Sequence, residues 1–148
     1  MAPVFIMLVG LPGSGKSTYA EKLSQSGYKT FSSDELRIEL LGDVNDVSNN
    51  RLIFDTLLKR LTESLKEGNN SIFDATNMSS KGRTRFLESI KDIECTKRCV
   101  VFDVPVEVCI ERNKNRDRKV PEAVFENMLS YYTPPSIEEG WDEIETIH

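Results

Sequence analysis

Residues 10–17 limit the possible folds of this chain more than any other segment. They read Gly-Leu-Pro-Gly-Ser-Gly-Lys-Ser, which satisfies the pattern G-x-x-x-x-G-K-[S/T] in full. The preceding run, Val4–Val9, is continuous and apolar, as is typical of a strand buried on both faces of a parallel sheet. A helix is predicted from Lys16 to Ser26, closed by Gly27. The order strand, glycine-rich loop, helix predicts a phosphate-binding loop.

The chemistry of such a loop follows from its residue types. Glycines allow a positive φ, so backbone N–H groups can turn inward onto phosphate oxygens at a helix N-terminus. Lys16 would reach the β- and γ-phosphates of ATP, and the Ser17 hydroxyl would ligate Mg²⁺. The alternative is a glycine-rich turn without a ligand. The residues predicted to bind nucleotide are Gly13, Ser14, Gly15, Lys16, Ser17 and Thr18.

The rest of the sequence alternates strand-like and helical patterns. Strands are predicted at residues 29–32, 71–74, 98–104 and 143–147, and helices at residues 34–41, 80–90 and 106–113, through residues 53–65 and from residue 121. This alternation predicts an α/β fold with a parallel sheet covered by helices. A length of 148 residues suits a single domain over residues 1–148.

Composition narrows the class of protein. No apolar run approaches the ~20 residues that span a bilayer, so no membrane association is expected. Three cysteines and a single histidine, His148, give no metal-binding pattern and favour reduced thiols in a cytoplasmic protein. A net charge of −5 argues against a protein that coats nucleic acid. The charge does not exclude an enzyme that binds one strand end in a locally basic groove.

Two polar side chains follow the second predicted strand. Asp34 could accept a proton from an attacking hydroxyl, and Arg37, one helical turn on, could hold a phosphate of the acceptor. Both would lie beyond the carboxyl end of a strand, where ligands of open α/β sheets bind. An alternative remains, because Ser32 and Glu35 match a helix capping box. In that interpretation the acidic residues only stabilise a helix start.

Asp74 ends the third predicted strand, where a Walker B carboxylate would hold Mg²⁺. The alternative is a strand-ending turn stabilised by the side chain of Asp74 or Asn77.

A basic segment, residues 112–120, joins two predicted helices. It is typical of a short lid over ATP, in which Arg112 and Arg116 could both face the phosphates because they lie one turn apart. Placed over the γ-phosphoryl group, an arginine would neutralise charge that develops during transfer. The alternative is a solvated charged surface.

Taken together, these motifs resemble the P-loop kinase domain of 5′-hydroxyl polynucleotide kinases. The matching segments, in family order, are residues 10–18, Ser-Asp-Glu-Leu-Arg (33–37), Asp-Ala-Thr-Asn (74–77), Phe-Asp-Val-Pro (102–105) and Arg-Asn-Lys-Asn-Arg (112–116). The resemblance implies a sheet order of 2-3-1-4-5. Well-known family members also carry a phosphatase or ligase domain, for which this chain has no segment, so neither activity is expected.

The resemblance also implies roles for individual residues. Asp34 would be the general base on the 5′-hydroxyl, and Arg37 would bind a phosphate of the acceptor nucleotide. Lys16 and Ser17 would hold the donor phosphates and Mg²⁺. Arg116 would contact the transferring phosphate, with Arg112 nearby on the nucleotide.

Three functions are therefore weighed. The first is transfer of the γ-phosphate of ATP to the 5′-hydroxyl end of DNA or RNA. The second is a kinase that acts on a hydroxyl of a sugar, antibiotic or metabolite. The third is a nucleotide-gated binding module with no dedicated acceptor. Both kinase functions predict that Asp34→Asn abolishes transfer while nucleotide binding survives.

Overall fold

The computed structural model of the protein describes residues 2–115 and 120–148. The strands are β1 (Val4–Val9), β2 (Lys29–Ser32), β3 (Ser71–Asp74), β4 (Thr96–Phe102) and β5 (Glu143–Ile147). The helices are α1 (Lys16–Ser24), α2 (Ser33–Leu41), α3 (Asn50–Lys66), α4 (Ser80–Ser89), α5 (Val106–Lys114) and α6 (Glu122–Tyr131), and a 3₁₀ turn spans Ile137–Glu139.

The five strands form one parallel sheet in the order β2-β3-β1-β4-β5. This confirms the predicted order. β1 lies at the centre, between β3 and β4, and its residues from Phe5 to Val9 are fully buried. A strand with neighbours on both edges and helices on both faces has no solvated side, which explains its continuous apolar run.

The side chains of β1 alternate between two clusters. Phe5, Met7 and Val9 belong to the larger cluster, to which α3 contributes Ile53, Leu57, Leu61 and Leu65 at every fourth position. Ile6 and Leu8 belong to the smaller cluster, with Ala20 of α1. The four α3 side chains are all at most 2% exposed, so they form the apolar helix face that covers the sheet.

Two predicted elements, the first helix and the fourth strand, have boundaries that were wrong by two residues, and the other boundaries that differ do so by one residue. The first helix ends at Ser24 rather than Ser26, because the N–H groups of Ser26 and Gly27 bond to Leu23 and Ser24 in a tight turn. The fourth strand spans residues 96–102 rather than 98–104. Its pairing with β5 stops where Asp103 N donates to Ile147 O, and the chain then turns into α5 at Pro105.

The loops that follow β1, β2, β3 and β4 leave the sheet at the same edge, because the strands are parallel. They surround a cleft at the carboxyl ends of the strands, the place where open α/β sheets bind ligands. Within residues 2–115 and 120–148, no helix is long and apolar enough to cross a membrane.

Candidate active site

The glycine-rich loop between β1 and α1 has a backbone that side chains would obstruct. Gly13 has a φ of 82° and Gly15 a φ of 103°, both in the region that favours glycine. A Cβ on Gly13 would lie 2.7 Å from the carbonyl oxygen of Cys109 in α5. The loop is therefore held against α5 in a fixed shape, and an alanine at residue 13 would disturb it.

The loop carries polar groups that suit an anion. Ser14 is 3% exposed, and its Oγ has no hydrogen-bond partner among the described residues. No side chain caps the first turn of α1, whose N-cap is Gly15, so backbone N–H groups there are available to a ligand. These features fit the phosphates of a nucleotide.

Lys16 is 7% exposed and lies across the loop. Its Nζ donates to the carbonyl oxygens of Gly10 at 2.9 Å and Leu11 at 2.8 Å. The ammonium therefore occupies the inside of the loop, within reach of a phosphate bound there. Thr18 follows in the first turn of α1 and is exposed.

Ser17 and Asp74, the two predicted Mg²⁺ ligands, are in contact. The Ser17 hydroxyl donates to Asp74 Oδ2 at 3.2 Å. Burial raises the pKa of Asp74, the nearby Asp34 and Glu35 carboxylates raise it further, and Lys16 and the Ser17 hydrogen bond partly oppose the rise. The described residues contain no group of three or more His, Cys, Asp or Glu side chains that could hold a metal. One carboxylate and one hydroxyl fit Mg²⁺, which takes its remaining ligands from water and substrate phosphates.

The segment after β3 is braced against the phosphate loop. Gly10 N donates to Thr76 O at 3.0 Å, and Asn77, with a φ of 48°, donates through Nδ2 to Leu8 O at 2.8 Å. Asn77 therefore ties the segment after β3 to β1 by a donated hydrogen bond, alongside the contact of Asp74 with Ser17.

A buried ion pair supports this segment from behind. Arg83 of α4 donates to Asn77 O at 2.8 Å and pairs with Glu139 at 2.9 Å, and the side chains are 0% and 6% exposed. Arg83 also donates to Thr133 O, so α4, the post-β3 segment and the C-terminal segment meet at one guanidinium. This ion pair was not predicted from the sequence. The one signal for it was the placement of Arg83 on the same helical face as Leu87 and Ile90.

Asp34 and Arg37 lie at the start of α2. Ser32 Oγ accepts from Glu35 N at 3.3 Å, so Ser32 supplies the helix N-cap, as the capping-box pattern predicted. Arg37 Nη1 lies 3.6 Å from Asp34 Oδ1, and the two side chains are 13% and 40% exposed. The carboxylate therefore remains accessible from the cleft.

Two residues of α3 hold the Arg37 guanidinium. Asn50 Oδ1 accepts from Arg37 Nη2 at 2.8 Å, and Arg37 Cζ lies 5.8 Å from the centroid of the Phe54 ring. Neither contact was predicted from the sequence. Phe54 is 40% exposed, although it lies next to the buried Ile53 on α3.

Arg112 of α5 is exposed and donates to Gly13 O at 3.3 Å, so it lies beside the phosphate loop. Arg116, predicted to act from the lid, lies outside the described residues. Asn113, at the end of α5, is buried and bonds both backbone groups of Val120.

The cleft has a volume of about 2040 Å³ and contains the phosphate loop, Asp74, Asp34 and Arg37 together. Its charge differs from that of the whole chain, which is −5. Seven cationic side chains and three anionic ones line it among the described residues. The cations are Lys16, Lys22, Arg37, Arg51, Arg83, Arg85 and Arg112, and the anions are Asp34, Asp55 and Asp74.

A family model described as an AAA domain matches residues 5–135. The chain belongs to this AAA-domain family. The chain has a P-loop kinase fold, and polynucleotide kinase domains are among its relatives. Both findings agree with the resemblance noted in the sequence.

Three similar proteins illustrate the range of relatives of this chain. It is 26% identical over 148 residues to a bifunctional polynucleotide phosphatase/kinase of Schizosaccharomyces pombe, covering 96% of this chain and 33% of that protein. It is 26% identical to an L-seryl-tRNA(Sec) kinase of Methanococcus maripaludis, covering 94% of this chain and 56% of that one. A solved chain of the Pnkp1/Rnl/Hen1 RNA repair complex superposes with a TM-score of 0.75 at 24% identity, over 87% of this chain and 43% of that one.

This chain thus spans between a third and about half of the length of these relatives. They support a P-loop kinase, and they differ in the acceptors that their names give.

Proposed function

We propose that the protein transfers the γ-phosphate of ATP to the 5′-hydroxyl end of DNA or RNA. The observation that carries this proposal is the shared cleft, in which Asp34 and Arg37 lie together with the phosphate loop. A module that only binds nucleotide would need no carboxylate and guanidinium at that position. The polynucleotide kinase among the curated relatives supports the same acceptor.

The loop residues and Asp74 form what we call the donor half of the cleft. Backbone N–H groups of residues 13–18 and the Lys16 ammonium would bind the β- and γ-phosphates. Mg²⁺, held by Ser17 Oγ and Asp74, would supply charge neutralisation on those phosphates. Arg112, beside Gly13, would contact the nucleotide. Arg116 is proposed, from the sequence alone, to stabilise the transferring group.

Asp34, Arg37, Asn50 and Phe54 form what we call the acceptor half. Arg37 would bind the phosphate next to the acceptor hydroxyl and so orient that hydroxyl towards Asp34. Asp34 would take the hydroxyl proton as the oxygen forms its bond to the γ-phosphorus, while the bond from that phosphorus to the leaving ADP oxygen breaks. The products are the 5′-phosphorylated strand and ADP.

The decisive experiment supplies Mg²⁺, ATP labelled in the γ-phosphate, and 5′-hydroxyl DNA and RNA oligonucleotides. Wild-type protein should place label on the 5′ end. Asp34→Asn should lower the transfer rate about 10²- to 10⁴-fold, the usual contribution of a general base, and leave ATP affinity unchanged. Asp43→Asn, at an exposed aspartate just beyond α2 and outside the cleft, is the matched control and should transfer at the wild-type rate.

Other outcomes would redirect the assignment. Label on a sugar or metabolite hydroxyl, with none on any oligonucleotide, would replace the nucleic-acid acceptor by a small molecule. ATP binding with slow hydrolysis, no acceptor and no response to Asp34→Asn would indicate a nucleotide-gated binding module.

A further inference from the structure

Phe54 is the most exposed member of a row of three aromatic rings. Its ring centroid lies 6.3 Å from that of Phe73, which lies 4.9 Å from that of Phe86. Phe73 is 3% exposed, whereas Phe54 is 40% exposed and lines the cleft. The row thus ends in an aromatic surface that opens into the site, supported from behind by the buried ring of Phe73.

The contacts of Phe54 place this surface beside the acceptor groups. Arg37 lies over the ring at 5.8 Å and reaches Asp34 at 3.6 Å. Asn50, one helical turn before Phe54, fixes the other side of the guanidinium. A carboxylate, a guanidinium and an aromatic ring therefore follow one another along the cleft. A strand end presents a hydroxyl, a phosphate and a base within one nucleotide.

The Arg37 guanidinium also retains hydrogen-bonding capacity. It is 13% exposed, and its Nε has no partner among the residues that the structure describes. Nε itself is shielded from solvent, so a phosphate that approached from the cleft would bind the exposed part of the Arg37 side chain. The phosphate and the aromatic surface would then be used together.

The charge of the cleft favours a polyanion over an uncharged apolar ligand. Beyond Arg37, two further cations line the cleft: Arg51, three residues before Phe54 on α3, and Arg85, next to Phe86 on α4. Arg51 pairs only loosely with Asp55, at 3.6 Å with both side chains mostly exposed. Exposed arginines beside an exposed aromatic ring are the arrangement by which proteins bind single strands, with phosphates on the cations and bases on the rings.

We infer that Phe54 is a base-stacking surface for the terminal nucleotide of the acceptor strand, with Arg37 holding the adjacent phosphate. The inference rests on the proposed function and deepens it. It assigns a preference for acceptors that carry a base beside the hydroxyl, over sugars and abasic ends. Stacking on an aromatic ring tolerates any base, so little sequence preference is expected.

The test compares two 5′-hydroxyl oligonucleotides of one sequence, one intact and one with an abasic 5′-terminal residue. The abasic strand keeps the sugar, hydroxyl and phosphates and lacks only the base. Wild-type protein should show a KM about tenfold higher for the abasic strand, as expected for the loss of one stacked base. Because no variant is needed for this comparison, it does not depend on the folding of a mutant.

Variants then assign the effect to the ring. Phe54→Leu keeps apolar bulk against Phe73 and removes the aromatic face, so the tenfold abasic penalty should shrink to within about twofold. Phe54→Trp should retain the penalty. Leu52→Ala is the matched control, because Leu52 lies on the same helix with 41% exposure and does not line the cleft.

The possible failures are distinguishable. Efficient transfer to both strands with equal KM in the wild type would overturn the stacking surface and leave the kinase proposal standing. If Phe54→Leu raised both KM values equally and kept the penalty, Phe54 would act only by positioning Arg37, and the inference would be wrong. Absence of transfer to any oligonucleotide would overturn the acceptor assignment and this inference together.

Discussion

The donor half and the acceptor half of the cleft differ in how their polar groups are held. In the donor half, Ser14, Lys16 and Asp74 are each at most 7% exposed. Lys16 bonds to backbone carbonyls of the loop, and Asp74 accepts from the neighbouring Ser17 hydroxyl. In the acceptor half, Asp34 and Phe54 are 40% exposed. The Arg37 guanidinium there is held by side chains from two helices, α2 and α3.

This difference matches two tasks. The donor nucleoside triphosphate is the same molecule in every turnover. A fixed backbone loop with an uncapped helix end can therefore be preorganised for its phosphates. An acceptor strand must enter and leave, and exposed side chains on α2 and α3 can meet it without rearranging the sheet. Changes in the donor half should therefore affect every acceptor, and changes in the acceptor half should depend on which acceptor is offered.

The largest effect is expected from Lys16→Ala. Removing a cation aimed at the transferring phosphates should lower the transfer rate about a thousandfold for all acceptors. ATP affinity should fall as well, unlike in Asp34→Asn. Initial rates with labelled ATP and equilibrium nucleotide binding would measure both quantities, with Lys29→Ala at the exposed start of β2 as control. A variant that kept a tenth of the wild-type rate would contradict the donor role of Lys16.

The brace behind the donor half gives the second prediction. Glu139→Gln leaves Arg83 buried without its carboxylate, which should lower the free energy of unfolding by about 3 kcal/mol at neutral pH. Glu39→Gln breaks an exposed ion pair with Arg60 and should change stability little. Denaturant unfolding of the two variants and the wild type would measure the difference. Equal stabilities would show that the Arg83–Glu139 pair does not brace the fold.

The Arg83–Glu139 pair should also make the free energy of unfolding depend on pH in the acid range. Burial raises the pKa of Glu139, but hydrogen bonds from Arg83, Trp141 and Ser80 outweigh it, so the net pKa is lowered. A carboxyl with a lowered folded-state pKa stabilises the fold above its unfolded-state pKa of about 4.3 and loses that stabilisation as pH falls through the folded-state value. The gap between wild type and Glu139→Gln should therefore close as pH drops below about 4.3.

The donor half and the acceptor half also differ in how much of each could be predicted from the sequence. The donor half lies in contiguous residues, 10–18, whose glycine spacing encodes the loop directly, and Asp74 follows from the end of an apolar strand. Asp34 and Arg37 were predictable because they are one helical turn apart. Their partners were not. Asn50 and Phe54 reach Arg37 only because α2 packs on α3, a tertiary contact that leaves no local pattern.

The Arg83–Glu139 pair shows the same limit across a longer distance. Its members lie 56 residues apart, and a glutamate in a polar segment gives no sign that it is buried. The strand order, by contrast, followed from the motif resemblance, and strand positions followed from apolar runs. The end of β4 was misjudged because Val104, an apolar residue after Asp103, extends the strand-like pattern past the last residue that pairs with β5.

Arg37→Ala tests the acceptor half with the third largest effect. Losing a charge-assisted contact to phosphate should raise the KM for a 5′-hydroxyl oligonucleotide about 10- to 100-fold and leave the KM for ATP unchanged. Arg37→Lys should restore little, because an ammonium cannot reproduce the planar guanidinium held by Asn50 and Phe54. Arg60→Ala, an exposed arginine of α3 outside the cleft, is the control. An equal rise in both KM values would show that Arg37 does not act on the acceptor alone, and that the two halves of the cleft are not functionally separate.

The smallest effect is expected from Arg85→Ala. This variant also distinguishes most directly between a nucleic-acid strand and a single nucleotide as the acceptor. Arg85 is exposed on α4 and lines the cleft beyond Phe86, where it would meet a phosphate only if the acceptor is a strand longer than one nucleotide. The logarithm of the KM for a long oligonucleotide should then vary with the logarithm of salt concentration with a slope that is shallower by about 0.7. Lys81→Ala, on the same helix and outside the cleft, should keep the wild-type slope.

With a nucleoside monophosphate as acceptor, Arg85→Ala should have no effect, because the substrate is too short to reach it. If Arg85→Ala left the slope unchanged for every length of strand, the acceptor half would hold one nucleotide only. The cationic surface beyond Phe54 would then have no part in binding.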